Sequence, residues 1–292
     1  MRMESDSAVI YEGERLDQIG FGNLRLLQKP EEFCYGIDAV LLADFAASRG
    51  WQKTDEGGYR GLVTACDLGT GTGIIPLILS HKLSDSLIIG VEVQQGSYER
   101  ACRNVILNEL QTRLLMMQGD VNCRELPFRV REAAGEFYRK SIGGIYPENS
   151  SDKGINLDGM PSGFDLVTVN PPYTESGRGL DGKNQAKMIA RQETTGTLED
   201  FIRTAALLLK EKGDFYLVHR PSRLVDICCL CRKYRIEPKA LRFVSSKLTE
   251  APNIMLLHGV LSGGRGLRMQ SPLAVYDGDG QYTQEINMIY ER

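Results

Sequence analysis

An apolar stretch, Leu62 to Asp67, runs straight into D-L-G-T-G-T-G (67–73), and this junction constrains the chain more than any other. Residues suited to a buried strand stop at a carboxylate. Three glycines at alternate positions follow, and then a second apolar run begins at Ile74. Such a loop lets the chain turn sharply and brings backbone N–H groups against a ligand at a helix N-terminus. Strand, glycine turn and helix form the opening unit of a parallel α/β sheet. A dinucleotide fold would prefer G-x-G-x-x-G, with two residues before the third glycine. Here there is one, and an acid precedes the loop.

The alternation continues downstream. Ser86 to Glu92 reads as a second strand, Tyr98 to Asn108 as a helix and Leu114 to Gln118 as a third strand. Phe164 to Val169 is the fourth strand, Leu198 to Lys210 a helix, Asp214 to His219 the fifth strand and Ser222 to Lys233 a helix. Lys239 to Ser246 and Asn253 to Leu261 close the sheet as an antiparallel pair. Upstream, residues 14–29 suit a hairpin with Gly20 or Gly22 in the turn, and Gly36 to Ala47 is apolar at helical spacing. Residues 1–60 are therefore expected to pack as a hairpin-plus-helix extension on a catalytic domain spanning 61–292. From about 129 to 163 no period is sustained and the composition is turn-rich, so an inserted loop is expected there.

At 42% hydrophobic and 25% charged residues, the chain can bury a large core. No apolar run approaches the roughly 18 residues that span a bilayer. The polar, acidic start lacks the apolar segment of a signal peptide. A cytoplasmic protein without membrane contact is expected. Cys228-Cys229-x-Cys231 has the look of a metal cluster. It lies in a helical stretch with Leu224, Ile227, Cys228 and Cys231 on one face, and no partner CxxC exists. Buried thiols are expected there, and no metal. Net charge is −3, but residues 178–268 hold 17 Lys and Arg against 9 Asp and Glu, so that stretch carries +8 and the rest −11. Such asymmetry points to one basic face.

The strand ends carry the chemistry. Glu92 closes the second strand, 19 residues after Gly73, where an acid can accept both ribose hydroxyls of a nucleoside cofactor. Gly119-Asp120 follows the third. The fourth ends in Asn170-Pro171-Pro172-Tyr173. Two prolines cannot continue a central strand, so a rigid polar-then-aromatic tip stands at the edge where open α/β sheets bind ligands.

D-L-G-T-G-T-G, Glu92 and Asp120 together resemble the class I S-adenosylmethionine (SAM) methyltransferases over about residues 60–220. The resemblance implies a Rossmann-like α/β fold: seven strands, mostly parallel, with an antiparallel final hairpin. It implies SAM as cofactor, held by Asp67, Gly69, Thr70, Gly71, Gly73, Glu92, Asp120, Val121 and Asn170. Gly69 and Gly71 would approach the methionine part, Glu92 the ribose, and Asp120 with Val121 the adenine. Asn170 through Tyr173 resemble the signature of enzymes that methylate amines conjugated to a π-system. Such nitrogens are poor nucleophiles because the lone pair is delocalised. Two acceptors, Asn170 Oδ1 and the Pro171 carbonyl, can pull the amine toward pyramidal geometry, with the prolines holding the carbonyl in aim. Tyr173 offers a flat face on which a base can stack, and its hydroxyl is expected to be dispensable.

The flanks narrow the choice. Residues 21–45, F-G-N-L-R-L-L-Q-K-P-E-E-F-C-Y-G-I-D-A-V-L-L-A-D-F, resemble the tRNA1(Val) (adenine-37-N6)-methyltransferase family, as do L-E-D-F (198–201) and V-H-R-P-S-R-L-x-D-I (218–227). K-x-x-A-R-x-E (187–193) does too, with Gln192 where the family often carries His. This implies methylation of the adenine beside the anticodon of a tRNA, with Lys183, Lys187, Arg191, Arg220 and Arg223 near the RNA. DNA or ribosomal RNA amines, and protein glutamine, remain as alternative substrates of the same chemistry. A non-catalytic SAM-binding protein and a nicotinamide dehydrogenase are the other readings.

Overall fold

The computed structural model describes residues 10–32, 34–48, 62–142, 163–173 and 196–292. Near the N-terminus, β1 (Arg15–Gln18) and β2 (Arg25–Gln28) pair antiparallel. Gly20 and Gly22 both adopt positive φ in the turn between them. Helix α1 (Ile37–Ala47) follows. The alternation then runs β3 (Val63–Leu68), α2 (Ile74–Lys82), β4 (Ser86–Glu92), α3 (Gln95–Leu107), β5 (Leu114–Gln118) and α4 (Leu126–Ile142). It continues with β6 (Phe164–Val169), α5 (Leu198–Leu208), β7 (Leu209–His219), α6 (Leu224–Lys233), β8 (Ile236–Ser245) and β9 (Ile254–Leu261). Short strands β10 (Arg268–Met269) and β11 (Leu273–Ala274) precede α7 (Gln284–Ile289).

The main sheet has the order β10-β8-β9-β7-β6-β3-β4-β5, with β11 also on β8. Strand β9 runs antiparallel to both β7 and β8, and the other pairings are parallel. Seven strands match the expected architecture. Nine are present because β10 and β11 extend the edge at β8, in a stretch whose composition gives no strand signal.

Side chains alternate between two cores, as the pleat requires. Val63 and Ala65 of β3 and Tyr216 and Val218 of β7 face α1, α2 and α3. Cys66, Leu68, Phe215 and Leu217 face α4, α5 and α6. Helix α1 is buried nearly all round and fills the layer over β6, β7 and β9. Asn104 of α3 ties the hairpin to this body. Its Oδ1 accepts from Leu27 N at 2.7 Å, and its Nδ2 reaches Leu27 O at 3.2 Å and Thr72 O at 2.9 Å.

Two expectations need correction. Residues 129–142, expected to open a loop, belong to α4. Leu126, Val130 and Ala134 recur every four residues and are buried against the sheet, a stripe that reading from residue 129 had cut in two. The rest of that segment, 143–162, lies outside the described residues. Helix α5 stops at Leu208 rather than Lys210, and β7 begins at Leu209. Leu209 pairs with Phe164 and pairing resumes at Asp214, so residues 210–213 loop out, with Lys212 at φ 63°.

Candidate active site

The chain leaves β3 toward β4 on one side and leaves β6 toward β7 on the other. The crevice between the carboxyl ends of β3 and β6 is therefore the switch point at which such sheets bind ligands. The glycine loop and Asn170–Tyr173 both lie there. Cys231, by contrast, is buried in α6, where burial pushes its thiol well above the ordinary range, while Cys229 is exposed. Among the described residues no group of three His, Cys, Asp or Glu could hold a metal. No described helix is long and apolar enough to cross a membrane.

Gly69, Gly71 and Gly73 all adopt left-handed φ, at 72°, 58° and 86°. Gly69 and Thr70 N–H groups anchor the loop to Val91 O at 2.9 and 3.0 Å. A Cβ on Gly69 would press on Phe201 at 3.1 Å, whereas one on Gly71 would meet nothing within 4 Å. The loop thus leaves open space at Gly71. Glu92 closes its rim, with Oε2 accepting from Gly71 N and Oε1 from Gln94 N, each at 2.8 Å. Two backbone donors fix the carboxylate while a carboxylate's further lone pairs stay able to accept.

Asp67 is 1% exposed. The Thr168 hydroxyl donates to its Oδ1 at 2.6 Å. Its Oδ2 and the Thr70 hydroxyl oxygen are buried with no hydrogen-bond partner among the described residues. Burial pushes the Asp67 carboxyl up to about 7, against the pull of the Thr168 and nearby Thr70 hydroxyls and with a little help from the Glu92 charge. An orphaned carboxylate oxygen beside an open glycine loop suits a cation such as an α-ammonium group. Asp120 accepts Asn122 N–H at 2.8 Å, and the buried Val121 gives its carbonyl to Thr204 and Arg203, each at 3.1 Å. Together these residues fit a SAM molecule laid across β3, β4 and β5.

At the tip of β6, Pro171 is buried and Pro172 exposed. The Tyr173 hydroxyl lies 3.0 Å from Asp38 Oδ2 and 3.1 Å from Asn170 Oδ1. Burial first, and then the Asp38 charge, push the phenol well above its ordinary range, so it stays protonated. The hydroxyl thus bridges two polar groups inside the site, a contact that the ring's expected stacking role does not require. The Tyr173 ring packs edge-on against His219 at 5.0 Å between centroids, and the Arg220 guanidinium sits 5.2 Å over it. His219 Nδ1 accepts Arg220 N–H at 2.8 Å, which leaves the proton on Nε2. Burial, with the Arg223 and Arg220 charges, brings this imidazole down to about 4.

The basic residues divide. Arg220 turns inward over Tyr173 and donates to Asn253 O at 3.1 Å. Arg223 pairs with Asp226 at 2.7 Å on the surface. Lys183, Lys187 and Arg191, together with Gln192, lie outside the described residues. Sequence reading missed Asp38, Thr168 and His219. Asp38 had one signal, an acid in the first helical turn after Gly36. The other two had none beyond their place at strand ends. A separate cavity of about 430 Å³, lined by Phe45, Tyr216, Lys239, His258 and Arg268 among others, lies over the middle of β7, β8 and β9 and away from these strand ends.

No family model matches the chain. A tRNA1(Val) (adenine(37)-N6)-methyltransferase of Porphyromonas gingivalis is 28% identical over 216 residues, covering 74% of this chain and 67% of that one. One of Histophilus somni is 23% identical over 257 residues, 87% of each. Among solved structures, a predicted O-methyltransferase from Agrobacterium tumefaciens aligns with TM-score 0.58 at 20% identity, covering 87% of this chain and 95% of that one. A T. thermophilus 16S rRNA guanine-N2 methyltransferase in complex with AdoMet and guanosine aligns with TM-score 0.50 at 15% identity, covering 85% of this chain and 50% of that one. The chain therefore has the class I methyltransferase fold, and tRNA1(Val) (adenine(37)-N6)-methyltransferases are among its sequence relatives.

Proposed function

We propose that the protein methylates the exocyclic N6 of adenine in a tRNA, at the adenine beside the anticodon, in the cytoplasm. The observation that carries this reading is the Asn170–Tyr173 tip standing at the switch point beside the glycine loop. SAM supplies a methyl group on a positive sulfonium, so the transfer needs no strong base. Asp67 holds the ammonium end, Glu92 the ribose hydroxyls, and Asp120 with Val121 the cofactor's adenine, while Gly69 to Gly73 let the backbone close on it.

Asn170 Oδ1 and the Pro171 carbonyl accept the two amine hydrogens of the target base. This draws the nitrogen lone pair out of conjugation, and the proton shed after transfer leaves to water. Fixed acceptors of this kind need no reorganisation as charge develops. The target base stacks on Tyr173, a contact of about 1–3 kcal/mol in single-stranded recognition. Since Arg220 covers one face of that ring, the base takes the other face or displaces it. Arg223, with Lys183, Lys187 and Arg191, supplies phosphate contacts. The β1–β2 hairpin and α1 act as an extension packed on the catalytic domain, with Asp38 as its contribution to the site.

The test is methyl transfer from labelled SAM to bulk tRNA from cells lacking the gene, with nucleosides separated by mass. N6-methyladenosine that disappears with Asn170→Ala supports the reading. Methylation of ribosomal RNA, DNA or protein glutamine instead would overturn the substrate and keep the chemistry.

A further inference from the structure

One hydroxyl proton faces two acceptors. Tyr173 carries a single O–H, yet both Asp38 Oδ2, at 3.0 Å, and Asn170 Oδ1, at 3.1 Å, stand within reach of it. An ionised carboxylate is the stronger acceptor. With the proton on the Asp38 side, the phenol oxygen turns its lone pairs to Asn170. The two ends of a carboxamide differ little in size, so hydrogen bonding alone decides which faces a neighbour. We infer that Asp38 and the Tyr173 hydroxyl are positioning residues: Asp38 fixes the phenol as its donor, the phenol oxygen accepts from Asn170 Nδ2, and Asn170 Oδ1 is thereby turned to the methyl-accepting amine. The inference rests on the proposed role of Asn170 as acceptor.

Three features of the fold support Asp38 in that role. It sits in the first turn of α1, where the helix dipole favours a negative charge, and it is 8% exposed. Its other oxygen, Oδ1, accepts Ala39 N–H at 3.0 Å, which fixes which oxygen faces Tyr173. A Cβ on Gly36 would lie 2.7 Å from Asp38 Oδ1, so glycine before the helix leaves the carboxylate room to hold this position. Asn170 with its amide reversed would present two N–H donors to an amine that is itself a donor, and the pull on the lone pair would be lost.

Asp38→Asn is the discriminating variant. It is isosteric, and Ala39 N–H keeps the new amide's oxygen, so an NH2 group faces Tyr173. The phenol must then donate to Asn170 Oδ1, and the relay reverses without loss of packing. Tyr173→Phe removes the relay altogether. Expected for both is a fall in kcat of about 10- to 100-fold. The SAM Kd and the KM for tRNA should stay within about twofold. The double variant should be no slower than the slower single, because both act through one hydroxyl. Wild-type kcat in Tyr173→Phe, or losses that multiply in the double variant, would overturn the inference. An independent readout is the side-chain NH2 of Asn170 in an asparagine-15N spectrum, assigned by its absence in Asn170→Ala. It should shift in both single variants, and an unmoved signal would also overturn the relay. A wild-type enzyme that methylates no adenine would instead sink the functional reading, while the spectrum still decides the relay.

Discussion

SAM affinity should rise with pH through neutrality, and Asp67 should be the reason. The carboxyl is 1% exposed and titrates at about 7, chiefly because burial disfavours its charge. An incoming ammonium restores the advantage of the ionised form, so binding expels a proton from whatever fraction of Asp67 still carries one. With a pKa near 7, about one molecule in eleven is ionised at pH 6 and about three in four at pH 7.5. The apparent affinity should therefore increase about eightfold over that interval. Below pH 6 the slope approaches tenfold per pH unit. Ending at pH 7.5 keeps most of the ligand's own ammonium charged. Calorimetric titration in two buffers of different ionisation enthalpy reads affinity and proton release together. At pH 6 about 0.9 proton should leave per SAM bound, and at pH 7.5 about 0.25. Asp67→Asn should bind more weakly and without this slope. A wild-type affinity that is flat from pH 6 to 7.5, or an equal slope in Asp67→Asn, would refute the assignment of the ammonium to Asp67.

Stability against pH should show two buried groups in opposition. His219, held down at about 4, adds stability above its unfolded value of about 6.5 that is lost as pH falls toward 4, while Asp67, raised to about 7, weakens the fold as pH rises from about 4 to 7. Urea midpoints of the wild type should change little from pH 4.5 to 6.5. Those of Asp67→Asn should rise with pH and those of His219→Gln should fall. Further acidification should destabilise every form, because Glu14, brought down to about 2 chiefly by its hydrogen bond from Arg103, must then be protonated. Asn104→Ala strands Leu27 N–H and O and Thr72 O in the interior and should cost about 3 kcal/mol in denaturant unfolding, with m unchanged. Gly71→Ala should lower SAM affinity at least about tenfold while costing only about 1–2 kcal/mol of stability, since its Cβ enters the open cradle at a left-handed φ. Arg223→Glu should raise the KM for tRNA and flatten its salt dependence, leaving SAM affinity unchanged.

The order of the fold was legible because each strand and most helices carry their own period. The acid or tip at each strand end was legible because Asp67, Glu92, Asp120 and Asn170–Tyr173 follow directly on apolar runs. Helix α4 was misread where its stripe of every fourth residue was cut at residue 129. Strands β10 and β11 left no trace, since two-residue strands are too short to show alternation.

What the sequence by itself determined, then, is which residues reach the carboxyl edge of the sheet, because backbone periodicity and chain punctuation are local. Which of them touch is a matter of packing. Asp38 meets Tyr173 across 135 residues, and Asn104 meets Leu27 across 77. Helix α1 brings an acid to that edge only because it fills the layer over β6 and β7. The same closure turns Arg220 onto the Tyr173 ring. Neither contact has a spacing to repeat, so only the tertiary structure could decide it.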